Sequence, residues 1–148
     1  QLATVIGHEI THVLAQHTNE RLSRTQLAGI GMAAADATLG QSEYGSTTMA
    51  ALGLGVQVGV LLPYGRAQES EADQLGLELM ARAGFNPAEA VTLWQRMSAS
   101  SGGNKPPVLL STHPSDQQRI AALQAELTQV EPLYQAARTQ GRHPQCRL

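Results

Sequence analysis

Apolar positions near the start of the chain recur at helical rather than strand spacing. On a wheel of Leu2 to Leu22, Val5, His8, His12, Ala15 and Asn19 share one face. Leu2, Ile6, Ile10, Val13 and Leu14 spread around much of the remainder, a pattern that predicts a buried helix. His17 falls on the opposite side from His8 and His12 and reads as a surface residue. The next segment, Ala28 to Tyr44, is rich in Ala and Gly, with breaks expected at Gly40 and Gly45. Thr47 to Leu62 is an apolar run, shorter than the roughly 20 residues of a bilayer crossing. It reads as a core or interfacial helix, kinked or ended at Pro63.

A second key helix is predicted over Arg66 to Ala83, stopped by Gly84. Ser70, Glu71, Gln74, Glu78 and Arg82 make its polar side, while Ala72, Gly76, Leu79, Met80 and Ala83 make its apolar side. Asn86 and Pro87 form a cap and first turn for a helix through Trp94 and Met97. Ser98 to Pro107 is a loop by composition. Ser115 to Val130 is an amphipathic helix with Ile120, Leu123 and Leu127 on its apolar face, followed by a polar tail. The expected organisation is one mainly α core over residues 1–130 and a C-terminal tail over 131–148.

Composition strengthens the helical reading, since the 148 residues are 42% hydrophobic but only 3% aromatic. A net charge of -2 gives no reason to propose a nucleic-acid partner. The single Cys146 cannot form an internal disulfide and leaves the redox compartment open. Because the first residue opens directly into a functional helix, a fragment of a longer protein is expected.

Chemistry enters with His8-Glu9-Ile10-Thr11-His12, an H-E-x-x-H motif. Positions i and i+4 lie one turn apart on one helix face, so both imidazoles can reach a single cation. Inward-facing imidazoles need partners, and a metal would satisfy both. Glu9, rotated by about 100° from His8, stands where a carboxylate can take a proton from a metal-activated water. A catalytic zinc also needs a third protein ligand and an open position. Glu69 and Asp73 fall one turn apart on the apolar side of the second helix, where carboxylates demand compensation. Glu69 is therefore the expected third ligand, and Asp73 the acceptor that orients a ligand histidine. The competing reading is an inward salt bridge to an Arg such as Arg66.

These residues, with Glu69-Ser70-Glu71-Ala72-Asp73 and Ser111-Thr112-His113-Pro114-Ser115 plus Arg119, resemble the peptidases related to the CAAX prenyl protease and HtpX. The bacterial envelope branch typified by BepA and LoiP is the nearest in pattern. The resemblance covers about Gln1 to Leu127 and implies a zincin-like helical metallopeptidase core, its upstream strand-containing segment missing here. It implies one zinc per chain on His8, His12 and Glu69, with Glu9 as base. It places the His113 corner at the cleft, stabilising an oxyanion or occupying the open metal position, with Arg119 bracing the corner or binding a substrate carboxylate. A lone histidine there would otherwise be a cap or surface residue. The implied function is a zinc endopeptidase of envelope protein quality control, periplasmic, acting on misfolded or envelope polypeptides. Membrane association would come through the missing regions. The alternative is a chaperone-like or binding module with a closed or structural metal site, against which the presence of Glu9 argues.

Overall fold

The computed structural model describes residues 1–101 and 107–145, and among them every regular element is helical. Six α-helices follow in order: α1 Leu2–Leu14, α2 His17–Leu39, α3 Gly45–Val56, α4 Leu62–Arg82, α5 Ala88–Ser100 and α6 Asp116–Thr139. The mainly α, zincin-like helical expectation holds. Cys146 lies outside the described residues, as does most of the Gly- and Pro-rich loop before Pro107.

Helix α1 lies across α4 at very close range, because two glycines face each other where they cross. A Cβ on Gly7 would sit 2.7 Å from the Gly76 carbonyl oxygen, and one on Gly76 would sit 2.8 Å from the His8 nitrogen. Only bare backbone permits that approach, which sets the H-E-x-x-H turn directly against the acidic stretch of α4. Behind it, α4, α5 and α6 enclose the core of Leu77, Ala81, Ala90, Val91, Leu123 and Val130, with Trp94, Ile120, Leu127, Leu133 and Tyr134 packed around it.

The punctuation residues act as their chemistry requires. Gly84, at φ +84°, ends α4 in a Schellman motif, with Gly84 N–H donating to Ala81 O and Phe85 N–H to Met80 O. The Asn86 side chain accepts from the Ala88 N–H at the start of α5. Ser115 and Gln118 form a reciprocal capping box at the start of α6.

Four expectations need correction. The first helix does not run to Leu22: it stops at Leu14, and Gln16 takes a left-handed conformation (φ 56°) that swings the chain into α2. Nor is α1 buried, since Val5, Ile6 and Ile10 are each 45–49% exposed; its inner edge packs on α4 and its outer apolar edge is bare. Pro63 does not separate two helices. A π-turn over Gln57–Leu61 precedes it, and this wider turn accommodates a residue lacking an N–H, so helix runs unbroken from Gly45 to Arg82. That run is long and apolar enough to cross a membrane by length and composition only, and just 11% of its apolar window is buried, so it is no core helix. Finally, α6 continues through Pro132 to Thr139, because Leu133, Tyr134 and Ala137 still pack inward beyond the point where a proline would favour a stop.

Candidate metal centre

Helix α1 presents His8 and His12 one turn apart, and α4 presents Glu69 and Asp73 one turn apart, across the glycine crossing. The two Nε2 atoms of His8 and His12 lie 3.1 Å from each other. Glu69 reaches both rings, with Oε2 3.6 Å from His8 Nε2 and Oε1 3.4 Å from His12 Nε2. Among the described residues these three form a group whose ligand atoms lie within 4.8 Å of one another, a set that could hold a metal ion. A tetrahedral zinc with bonds of about 2.0–2.1 Å separates its ligand atoms by roughly 3.3–3.4 Å. The three spacings bracket that edge length, so the donor set fits the ion in both chemistry and size.

The carboxylate behind the first histidine is Asp73, whose Oδ1 is 3.0 Å from His8 Nδ1. Asp73 is in turn clamped by Arg119, which donates from Nε to Oδ2 at 2.6 Å and from Nη2 to Oδ1. The same guanidinium reaches Glu69 Oε2 at 3.5 Å and stacks over Trp94 with its carbon 3.8 Å from the ring centroid. Arg119 is buried and braces two inward carboxylates, and it also lines the larger cavity beside His113. The salt bridge to Arg66 does not form. Arg66 donates instead to the carbonyls of Val108 and Ser111, holding the corner that carries His113.

His113 Nδ1 lies 2.9 Å from Glu69 Oε2, while its ring remains 60% exposed. It does not cap α6, a task performed by Ser115. Thr112 and His113 stand between two cavities. One of about 280 Å³ touches Glu69, Tyr64 and Arg24. The other, of about 600 Å³, opens toward Trp94, Met97 and Leu110, and the His113 wall divides it from Glu69. Glu9 is exposed on α1, near enough for its charge to act on His12.

Protonation follows from this packing. Burial opposes a charge on His8, but its hydrogen bonds with Asp73 and Glu69 outweigh burial and hold its pKa up at about 9. Burial also opposes the Glu69 charge, yet hydrogen bonds from His8 and His113 bring its pKa down to about 2. Burial, then the neighbouring His8 charge, lowers that of His12.

His17 is the residue that helical phase misassigned. It is only 1% exposed, and its Nδ1 lies 2.9 Å from Nδ1 of His12. A continuous helix would put His17 opposite His12, but the left-handed Gln16 breaks the phase one residue before His17. No local signal announces such a turn at a glutamine.

Residues 1–127 match the family model of Peptidase family M48. The chain is 37% identical over 131 residues to the mitochondrial metalloendopeptidase OMA1 of Schizosaccharomyces pombe, covering 88% of this chain and 37% of that protein. With the same enzyme of Saccharomyces cerevisiae it shares 34% identity over 140 residues, 90% of this chain and 38% of that one. With the beta-barrel assembly-enhancing protease of Escherichia coli it shares 26% over 139 residues, 90% of this chain and 28% of that one. The chain thus spans less than two fifths of the length of these relatives. No solved structure matches it. The expected periplasmic location in a bacterial envelope is overturned, because the relatives at 34–37% identity are mitochondrial. Both groups of relatives are proteases by name, and a metal site carries no information about compartment or branch.

Proposed function

Because the chain belongs to peptidase family M48, a family of metallopeptidases, we propose that it is the catalytic core of a zinc-dependent endopeptidase. The observation that carries this reading is the triangle of His8, His12 and Glu69 donor atoms, with sides of 3.1, 3.6 and 3.4 Å. A zinc ion held there would supply Lewis acidity for the scissile carbonyl and bring the pKa of water to about 7. Glu9 accepts the proton of the attacking water and returns it to the leaving amine. Asp73 holds His8 through Nδ1, and Arg119 holds Asp73, so the ligand ring is oriented before substrate arrives. His113 Nδ1, 2.9 Å from the Glu69 carboxylate, would stabilise an oxyanion or occupy the open metal position. The substrates are polypeptides, and the resemblance to a β-barrel assembly-enhancing protease supports a role in protein quality control. A closed or structural metal site in a binding module is not favoured, since such a site has no use for the base at Glu9 and the relatives are peptidases.

The test is metal content and hydrolysis of an unfolded protein such as casein by the full-length polypeptide. Glu9→Gln should retain one zinc per chain and lose proteolysis, because the amide keeps the shape but accepts no proton. A zinc-loaded, active Glu9→Gln enzyme would overturn the mechanism. Zinc retained in Glu69→Ala but lost in Glu71→Ala would show that another carboxylate is the ligand.

A further inference from the structure

The site contains one histidine more than the metal centre needs, and its burial requires an explanation. His17 opens α2 directly beneath His12, 1% exposed, and the Gln68 side chain holds its backbone carbonyl at 3.2 Å. Its two ring nitrogens face different partners. Nδ1 is 2.9 Å from His12 Nδ1, and Nε2 is 3.3 Å from Oε2 of Glu71.

The donor and acceptor roles along this row follow from its end. A carboxylate only accepts, so Glu71 takes the hydrogen on Nε2 of His17. A neutral His17 ring then has a bare Nδ1, which can only accept, and His12 must donate to it from Nδ1–H. The consequence is a bare Nε2 on His12, the atom that faces His8 Nε2 and Glu69. Asp73 orients His8 in the same sense, taking Nδ1–H and turning Nε2 toward the site, where a metal would displace its proton. Both histidines are thereby held with Nδ1–H turned away from the site and Nε2 toward it by carboxylates of the same helix, Asp73 directly and Glu71 through an intervening imidazole.

We propose that His17 is a positioning residue for the metal centre, fixing the ring orientation and tautomer of His12, with Glu71 fixing His17 in turn. The proposal rests on the reading of His8, His12 and Glu69 as metal ligands. It explains why the chain adopts a left-handed glutamine at position 16: that turn brings an imidazole back under the last turn of α1.

Zinc affinity of the full-length protein, measured by chelator competition, tests it alongside the imidazole tautomers seen in long-range ¹H–¹⁵N correlation spectra. His17→Phe fills the space without an acceptor and should weaken zinc binding by about ten- to a hundredfold. His17→Asn, whose Oδ1 can stand in for Nδ1, should recover most of that loss. Wild-type affinity in His17→Phe, or equal losses in both variants, would overturn the proposal, because a space-filling role would not distinguish them. Should His17→Phe fail to fold, the wild-type spectrum decides. A neutral His17 protonated at Nε2 supports the proposal, and one protonated at Nδ1 refutes it. A wild-type protein that binds no zinc would refute the metal-site reading itself, a different result from intact binding that ignores His17.

Discussion

Arg119 and Asp73 lie on different helices, 46 residues apart, and meet in a two-pronged ion pair with Nε 2.6 Å from Oδ2. That pair joins α6 to α4 at the point where α4 also carries Glu69. Arg119 therefore counters two inward carboxylates, Glu69 buried and Asp73 half-buried, with one delocalised cation while its face rests on Trp94.

Removing that cation should be costly. Arg119→Met leaves Asp73 and Glu69 without their shared partner in a site that excludes most solvent, a loss of about 3–5 kcal/mol. Denaturant unfolding of the metal-free protein measures it directly. A midpoint shift worth less than about 1 kcal/mol would mean that the carboxylates find other partners.

Two strongly shifted groups, His8 and Glu69, make metal-free stability depend on pH in opposite directions. His8 is raised from 6.5 to about 9, so its contribution is complete below pH 6.5 and disappears as pH rises through 9. Glu69 is depressed from 4.5 to about 2, so its contribution is present above pH 4.5 and disappears as pH falls toward 2. Zinc must also displace the His8 proton, so affinity should climb with pH up to about 9 and then level off. Thermal melts of chelator-treated protein from pH 3 to 10 and zinc titrations over the alkaline half of that range check both statements. A flat melting profile between pH 7 and 10 would contradict the first.

His113 faces Glu69 rather than the helix end, so His113→Ala should leave the fold nearly intact and alter turnover. The exposed ring contributes little packing. Loss of an oxyanion donor lowers kcat by on the order of a hundredfold, whereas loss of a competitor for the metal position raises it. Steady-state kinetics with bound zinc verified will read the change. A kcat within twofold of the wild type would remove His113 from the reaction.

The glycine crossing offers a mechanical test. Gly76→Ala puts a methyl group 2.8 Å from the His8 backbone nitrogen and forces α1 away from α4, costing about 1–3 kcal/mol and weakening zinc binding with it. Gly55→Ala, with nothing within 4 Å, should be neutral or gain up to about 1 kcal/mol from helix propensity. Paired melting and zinc titration of the two variants make the comparison. Equal stability would show that the crossing has slack.

Whatever depends on helical phase and on local backbone chemistry was legible in the order of residues alone. Spacing placed His8 and His12 on one face, phase turned Glu69 and Asp73 inward, and Gly84 and Asn86 marked the break between α4 and α5. Each of these follows from a 3.6-residue repeat or from the geometry of one turn, which neighbouring residues suffice to set. Which charges meet was set by long-range packing. Arg119 rather than Arg66 became the partner of Asp73, because the α6–α4 contact brings it there, while Arg66 is drawn to the carbonyls of Val108 and Ser111. His17 was hidden for a related reason. One left-handed residue at Gln16 resets the phase of everything after it, and packing against α4, not the identity of a glutamine, holds that turn in place. Pro132 was passed over in the same way, since inward contacts of Leu133, Tyr134 and Ala137 outweigh one lost backbone hydrogen bond.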